Sequence, residues 1–393
     1  MRVATGSVSR ARKATARRRR LLAALASALG VAAAAACQSG TGLIEADAGT
    51  DGGTGTGGGG TGGDIGFDAG PGNDAQQDAM DPDAACATSP VEATRVPVNM
   101  FIMFDKSGSM ANEGKWTKTS NALQAFFAAP ASAGLRVALR FFPHTGCDQS
   151  CNVDKCAQPA VPLGELSAES APQDAQEMAL INAFVGVSPS GGTPLSAALE
   201  GALVWGQSYL AKKPTEKAVV VLVTDGAPSD CNTDLSYIVK LAGDGYDPWG
   251  VLTFAIGLEG CAEDLMSLIA VQGGTEKAAF IGSANAEQEL LDAMNHIRDT
   301  TVACEFLMPK PEPGKEIDPK SLNVVYKSGE DGEPTTIGQV PSAEQCTPEK
   351  KAWYYDDAKK PTKIIFCDST CATIREDKKA KIEIVLGCTT VPA

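Results

Sequence analysis

The chain has 393 residues, a hydrophobic share of 43 % and a formal net charge of −14. This length accommodates two or three domains, and the hydrophobic share is ordinary for a protein with packed cores. The acidic balance argues against binding to nucleic acid or to an anionic lipid surface, because both repel a negatively charged protein.

Residues 1–36 have the composition of an export signal. A basic segment without acids precedes the apolar stretch LLAALASALGVAAAAAC, which is too short and too rich in alanine for a transmembrane helix. The stretch resembles the signal of bacterial lipoproteins, which implies that Cys37 becomes the lipidated first residue of an envelope-anchored protein. Plain secretion is the alternative. Loss of the eight lysines and arginines in this segment takes the net charge to −22.

Residues 37–85 form a tract of low complexity that is dominated by glycine, aspartate and alanine. Beyond Cys37 it contains nine acidic residues and no basic one. Such a tract buries too little apolar surface to offset the chain entropy lost on folding. We therefore predict a disordered stalk.

From residue 86 to residue 303, strand-like and helix-like segments alternate. The predicted strands are 95–104, 135–143, 217–226, 249–258 and 277–282, and the predicted helices are 117–130, 173–187, 191–213, 261–274 and 284–303. The strands are continuous apolar runs, as in a sheet that is covered on both faces. The alternation predicts an α/β fold with a doubly wound, mostly parallel sheet flanked by helices.

Residues 304–393 have a different texture, rich in proline and glycine, with five of the twelve cysteines. Short strand-like segments predict a small disulfide-braced β-rich domain of unknown function. Trp353, Tyr354 and Tyr355 stand together in one of these segments and would suit a sugar or peptide surface. We expect ordinary strand packing for them instead.

Three polar motifs follow apolar strands or open a helix. The sequence DKSGS places Asp105, Ser107 and Ser109 after the first strand, Thr193 precedes a helix in a glycine-rich loop, and Asp225 ends another strand. Ligands of such sheets bind at the carboxyl ends of the strands, so we expect these oxygens to meet at one edge. Two carboxylates and three hydroxyls suit a hard divalent cation, magnesium or manganese.

This set resembles the metal-ion-dependent adhesion site (MIDAS) of von Willebrand factor type A (VWA) domains, whose pattern is DxSxS with a threonine and an aspartate on separate loops. The resemblance covers about residues 94–303, and all five positions match. It implies that Ser107, Ser109 and Thr193 bind Mg²⁺ or Mn²⁺ directly, with Asp105 and Asp225 supporting. It also implies that an Asp or Glu of a protein ligand completes the coordination shell.

Other interpretations fit the motifs less well. A phosphatase with an aspartate nucleophile requires a second aspartate where Ser107 stands. A serine hydrolase requires a base, and neither His144 nor His296 lies in a recognisable triad context. GSMANEGKW lacks the glycine spacing of a phosphate-binding loop. The remaining alternative is a set of turn residues that bind no metal.

Cysteines of an exported protein are mostly disulfide-bonded. Cys231 and Cys261 follow two strands of the predicted sheet, so we predict a disulfide between them at the metal-bearing edge. Cys304 and Cys388 lie near the two ends of the last domain and are disulfide candidates there, although sequence does not fix connectivity. The cluster of Cys147, Cys151 and Cys156 suits disulfides better than zinc, because it lacks a tight CxxC pair.

These observations predict a non-enzymatic module that is exposed on a bacterial envelope. It would bind an acidic residue of a partner through the metal, with no nucleic acid and with membrane contact only through a lipid anchor. Two alternatives stay open: a structural envelope protein, or an accessory to a hydrolase, in which the metal only stabilises loops. The oligomeric state and the partner are not specified by the sequence.

Overall fold

The structure, a computed structural model, describes residues 90–302, 304–311, 313–329, 332–377 and 379–393. The predicted signal peptide, the stalk and Cys37 lie outside the described residues. Two β-sheets, of six and seven strands, and a set of helices make up the described part. The expectation of a mixed α/β fold with disulfides is confirmed.

The elements are numbered in chain order through both sheets. The strands are β1 (Val91–Glu92), β2 (Val98–Asp105), β3 (Arg136–Phe142), β4 (Val161–Glu165), β5 (Lys217–Thr224), β6 (Leu252–Leu258), β7 (Ala279–Ile281), β8 (Glu305–Leu307), β9 (Leu322–Ser328), β10 (Thr335–Gln339), β11 (Ala352–Tyr355), β12 (Lys363–Phe366) and β13 (Ala380–Leu386). The α-helices are α1 (Lys115–Ala128), α2 (Val153–Cys156), α3 (Ala175–Asn182), α4 (Leu195–Leu210), α5 (Leu235–Tyr246), α6 (Glu263–Gln272), α7 (Ala286–Val302) and α8 (Asp368–Glu376). Among these helices, none is long and apolar enough to cross a membrane.

The first sheet has the strand order β4-β3-β2-β5-β6-β7. Neighbouring strands run parallel from β3 to β7, and β4 alone pairs antiparallel with β3. β2 lies between β3 and β5, so the residues that follow it stand near the middle of the carboxyl edge. This order places the loops after β3 and β5 on either side of the end of β2.

Side chains of β2 alternate between two apolar cores. Met100, Ile102 and Phe104 pack on one face with residues of α1, α3 and α7, and Phe101 and Met103 pack on the other with α4, α5 and α6. All five side chains are fully buried. Burying one side chain of this size contributes about 1.5–3 kcal/mol, so the strand is held firmly from both sides.

The sequence analysis missed β4 and α5 in this region, as well as the short helix α2. β4 is an edge strand whose exposed residues interrupt the apolar pattern. α5 begins after Asp234, whose carboxylate accepts hydrogen bonds from the backbone N–H groups of Ser236 and Tyr237. Ile238 and Ala242, four residues apart, are its buried contacts. The cap and this spacing are the signals that identify the helix.

The second sheet has the order β1-β13-β9-β10-β11-β12-β8, and its strands are antiparallel except for the pair β10 and β11. Residues 91–96 contact both ends of this series. β1 pairs with β13, while Arg95 forms a bridge with Phe306 of β8. Backbone hydrogen bonds that make this closure run from Ala93 to Ile382 (2.9 Å), from Leu307 to Thr94 (2.8 Å) and from Val96 to Glu305 (2.9 Å). The segment therefore joins β13 and β8, which would be the two edge strands of the second sheet without it.

The predicted boundary at residue 304 thus omits a segment that the second sheet uses. Residues 91–96, assigned by the sequence to the first domain, pair with strands on both sides of the last one. Two disulfides brace this part of the chain, Cys304–Cys371 and Cys346–Cys367. A Cys304–Cys388 pairing is therefore wrong, because Cys371 on α8 lies against the start of β8. Cys388 is itself disulfide-bonded.

The aromatic residues of β11 pack in the second core, as expected. Trp353 is fully buried, and its indole N–H donates to the carbonyl oxygen of Ile337 at 2.8 Å. The hydroxyl of Tyr355 donates to the carbonyl oxygen of Pro319 at 2.9 Å. Both polar groups have partners inside the protein, which indicates a structural role for the two rings.

Deleting residues 91–96 tests the closure of the second sheet. The three backbone hydrogen bonds above, the pairing of β1 with β13 and the burial of Val96 are lost, so we expect the free energy of unfolding to fall by about 3–6 kcal/mol or more. Chemical denaturation followed by tryptophan fluorescence measures this change. The control replaces Thr94 and Arg95 by alanine; both side chains are exposed, and the change should stay within about 0.5 kcal/mol. Equal stability of the deletion variant and the wild type would show that the closing contacts contribute nothing.

Candidate metal centre

The structure brings the five predicted site residues to the carboxyl edge of the first sheet. Asp105 ends β2, Ser107 and Ser109 lie in the turn that follows it, Thr193 precedes α4, and Asp225 comes directly after β5. All are buried except Ser109, which is half-buried. Beside them, Gly108 is exposed and Gly226 is half-buried, so the cluster is open to solvent on one side.

Short oxygen–oxygen distances connect the hydroxyls with one carboxylate. The Oγ atoms of Ser107 and Ser109 are 3.0 Å apart, and the hydroxyl of Ser109 donates to Oδ1 of Asp225 at 2.7 Å. A Cβ atom built on Gly226 would lie 3.1 Å from Oγ1 of Thr193 and 3.8 Å from Oγ of Ser109. The threonine therefore borders the same space as the serine, and the absence of a side chain at Gly226 keeps that space open.

Asp105 is fully buried, and both of its carboxylate oxygens have donors. Oδ1 accepts from the backbone N–H of Ser107 at 2.6 Å, and Oδ2 accepts from the hydroxyl of Thr224 at 2.5 Å. Burial raises the pKa of Asp105 to about 6, the hydrogen bonds from Thr224 and Ser107 counteract part of this rise, and the negative charge of Asp225 adds to it. The carboxylate positions the turn after β2 and has no oxygen without a partner.

Backbone contacts hold the threonine loop against the loops on either side. The N–H of Gly108 donates to the carbonyl oxygen of Gly191 at 2.9 Å. The N–H of Ser190 donates to the carbonyl oxygen of Lys106 at 2.7 Å. On the other side, the N–H of Thr193 donates to the hydroxyl of Ser229 at 2.8 Å. Thr193 is thus fixed by its neighbours before any ligand binds.

Asp225 has a partner that the sequence analysis missed. The ammonium group of Lys115, the first residue of α1, forms a short ion pair with Oδ2 of Asp225 and donates to the carbonyl oxygen of Glu259 at 2.9 Å. Both side chains are almost completely buried. A basic residue in the first turn of a helix opposes the helix dipole, and this local mismatch is the signal that points to a buried acidic partner. Thr224, the donor to Asp105, was missed because it ends an apolar strand.

This set of donors fits a hard divalent cation. It consists of three hydroxyl oxygens and two carboxylates, with one ammonium group that balances one of the two negative charges. Within the described ranges, no three His, Cys, Asp or Glu side chains gather at one place. A cation at this edge would therefore depend on the hydroxyls of Ser107, Ser109 and Thr193, and oxygen ligands of this kind suit magnesium and manganese.

The cysteines near this edge pair differently from the prediction. Cys231 forms a disulfide with Cys151, which lies in the loop after β3, so the predicted Cys231–Cys261 bond is wrong. Cys147 and Cys156 form a second disulfide, which agrees with the preference for disulfides over zinc. Cys261 is a free thiol. Its sulfur is directed at the backbone of β6, where a Cβ on Gly257 would lie only 2.4 Å away.

Comparisons with known proteins give distant structural similarities only. No protein-family model and no curated protein matches the chain. The open form of the pilus adhesin SpaC from Lactobacillus rhamnosus GG is similar over 75 % of this chain and 40 % of its own, with 15 % identity and a TM-score of 0.42. Proximal thread matrix protein 1 from the mussel byssus is similar over 56 % of this chain and 51 % of its own, with 18 % identity and a TM-score of 0.37. The manganese-loaded TRAP protein of Plasmodium vivax is similar over 72 % of this chain and 98 % of its own, with 16 % identity and a TM-score of 0.34.

This chain thus spans less than half the length of SpaC. Similarities at this level do not bear on what the chain binds. The case for a metal centre rests on the side chains themselves.

The thiol of Cys261 should react slowly with alkylating reagents. Burial, and next the negative charge of Glu263, raise its pKa to about 11, so the thiol stays protonated at lower pH. At pH 8 we expect alkylation by iodoacetamide to be roughly a hundredfold slower than for an ordinary exposed thiol, with a rate that increases up to about pH 11. Mass spectrometry of the intact protein follows the reaction, and the urea-unfolded protein without reductant is the control. A rate that levels off near pH 9 in the folded protein would contradict this assignment.

Proposed function

We propose that this chain binds a divalent cation, Mg²⁺ or Mn²⁺, at its carboxyl-edge cluster and uses it to hold an acidic side chain of a protein partner. Ser107, Ser109 and Thr193 would bind the cation, with Asp105 and Asp225 supporting it. The observation that carries the proposal is that the carboxylates of Asp105 and Asp225 already have hydrogen-bond or ion-pair partners within the protein. Donors from the protein contact every one of their four oxygens. The hydroxyls of Ser109 and Thr193 border one open space beside Gly226, and the hydroxyl of Ser107 lies 3.0 Å from that of Ser109.

Such a cluster favours an open coordination position. Hydroxyl ligands are neutral, so they leave more positive charge on a divalent cation than direct carboxylates do. Two carboxylates and one ammonium give the cluster a net charge of −1, and a divalent cation would change it to +1. A carboxylate from a partner restores neutrality, and the exposed side at Gly108 provides the approach.

The wider role follows from the predictions at the amino terminus. With Cys37 lipidated and residues 37–85 acting as a stalk, the module would be displayed on a bacterial envelope as an adhesin or scaffold. No enzymatic activity is proposed: the serines of the cluster contact each other and Asp225, and among the described residues no basic side chain hydrogen-bonds to either serine.

Calorimetric titration of Mg²⁺ and then Mn²⁺ into the metal-free protein tests the site. We expect the wild type to bind one cation and the variants Asp105→Asn and Ser107→Ala/Ser109→Ala to lose at least about tenfold in affinity, because each loses part of the donor set. Ser190→Ala is the matched control, since it removes a hydroxyl from the same loop as Thr193 but from outside the set. Equal binding by the double-serine variant and the wild type would refute the proposed site.

A second measurement separates ligand binding from loop stabilisation. Acetate serves as a minimal carboxylate, and the relaxation of its methyl protons reports contact with Mn²⁺ in the loaded protein. Adhesion through the metal predicts relaxation that saturates with acetate and is reduced in the double-serine variant. A protein that binds Mn²⁺ but does not bring acetate to it would favour the structural alternative, in which the metal only stabilises loops.

A further inference from the structure

Lys115 places a buried positive charge beside the proposed metal. Its residue is 7 % exposed, and its ammonium contacts Oδ2 of Asp225 and the carbonyl oxygen of Glu259. Removing an ammonium group from water is costly unless charged and polar partners compensate for it. The ammonium group of Lys115 has a charged and a polar partner. Lys115 itself lies on α1, whose apolar residues pack against the core.

The two oxygens of Asp225 have different partners. Oδ1 accepts from the hydroxyl of Ser109, on the side where the three hydroxyls meet, and Oδ2 contacts Lys115. A cation that approaches the hydroxyls reaches the Oδ1 side. It does not need the position that the ammonium group occupies.

We propose that Lys115 stays on Asp225 when the cation binds, where it weakens the site's hold on the cation and strengthens the cation's demand for a partner's carboxylate. This inference rests on the proposed function. Lys115 acts through Asp225 and is a positioning residue, not a ligand. It directs the carboxylate of Asp225 and reduces its effective charge.

The charge balance gives the physical reason. Without Lys115, the two carboxylates would neutralise a divalent cation completely, and a third carboxylate would bring a net negative charge to the edge. With Lys115, the loaded site has one positive charge left, so an acidic side chain is attracted to it. The effective dielectric constant around a buried charge is lower than that of water. The charge of Lys115 therefore acts more strongly on a nearby cation than an exposed charge would.

The second hydrogen bond keeps the ammonium in place. The carbonyl oxygen of Glu259 lies in the loop after β6 and accepts from the same ammonium group at 2.9 Å. The neighbouring Gly260 has φ of +100°, and a Cβ there would lie 3.8 Å from the ammonium nitrogen. The backbone of this loop therefore lies against both the ammonium group and the backbone of Asp225, and it holds the ammonium group on Asp225.

Lys115→Met tests the inference in the metal titration described above. We expect this variant to bind Mg²⁺ and Mn²⁺ about tenfold or more tightly than the wild type, because one repulsive charge is gone. Lys115→Arg keeps the charge and should stay near the wild-type affinity. Lys118→Met is the matched control: it lies one turn further along α1, and its ammonium donates to the carbonyl oxygen of Ser283, not to a carboxylate. It should change the affinity less than about twofold.

The outcomes distinguish this inference from the proposed function. Wild-type binding with unchanged affinity in Lys115→Met overturns the role of Lys115 and leaves the metal site standing. Binding by Lys115→Met alone supports the role of Lys115 as a charge that opposes the cation. Absence of binding in both proteins overturns the metal site and this inference together.

Acetate relaxation in the Mn²⁺-loaded proteins provides the second readout. We expect Lys115→Met to bind acetate several-fold more weakly than the wild type, opposite in direction to its gain in metal affinity. A change of both affinities in the same direction would contradict the proposal. If Lys115→Met does not fold, the ¹⁵N resonance of the Lys115 ammonium in the wild type decides. Because the group is buried and hydrogen-bonded, we expect slow hydrogen exchange both without and with Mg²⁺. Loss of that protection when Mg²⁺ is added would show displacement and overturn the proposal.

Discussion

The structure of the carboxyl edge depends on a carboxylate that is buried at the end of a fully covered strand. Asp105 has no exposure, and burial alone would expel its charge. Its stability in this position requires the N–H of Ser107 and the hydroxyl of Thr224, which together satisfy both oxygens. The first bond shapes the turn that presents the serines, and the second requires that β5 end next to β2. One buried charge thus fixes the turn and the strand register at the same time.

The register follows from the apolar pattern of the two strands. β2 and β5 pair in parallel from Val98 opposite Lys217 to Phe104 opposite Val223, with side chains alternating between the two cores. A shift by one residue would exchange the two faces of a strand, which the differing cores do not tolerate. Asp105 and Asp225 were therefore predictable as neighbours, because apolar runs locate strands and parallel strands end at one edge. Lys115 was not, because a basic residue at the start of α1 indicates an acidic partner but does not show which residue, 110 positions away, supplies it.

The disulfide at the metal-bearing edge joins loops of strands that are not neighbours in the sheet. Cys231 was paired with Cys261 because both follow strands of the sheet and were expected at its metal-bearing edge. In the sheet, β3 and β5 are the strands that flank β2, and the observed Cys151–Cys231 bond joins the loops after those two strands. The bond connects residues on both sides of the turn with Ser107 and Ser109. It constrains the loops at the proposed metal edge, whereas a bond to Cys261 would have constrained one side only.

The second sheet contacts the first at the end opposite to the proposed metal. Residues 91–96 close the second sheet and lead directly into β2, so the two sheets share one continuous segment. Lys217, the first residue of β5, forms an ion pair with Glu305 of β8 at 2.7 Å and donates to the carbonyl oxygen of Thr301 at 3.1 Å. These contacts lie at the amino ends of β2 and β5, while the oxygen cluster lies at their carboxyl ends. Residues 91–96 therefore join the first sheet at the edge opposite to the oxygen cluster.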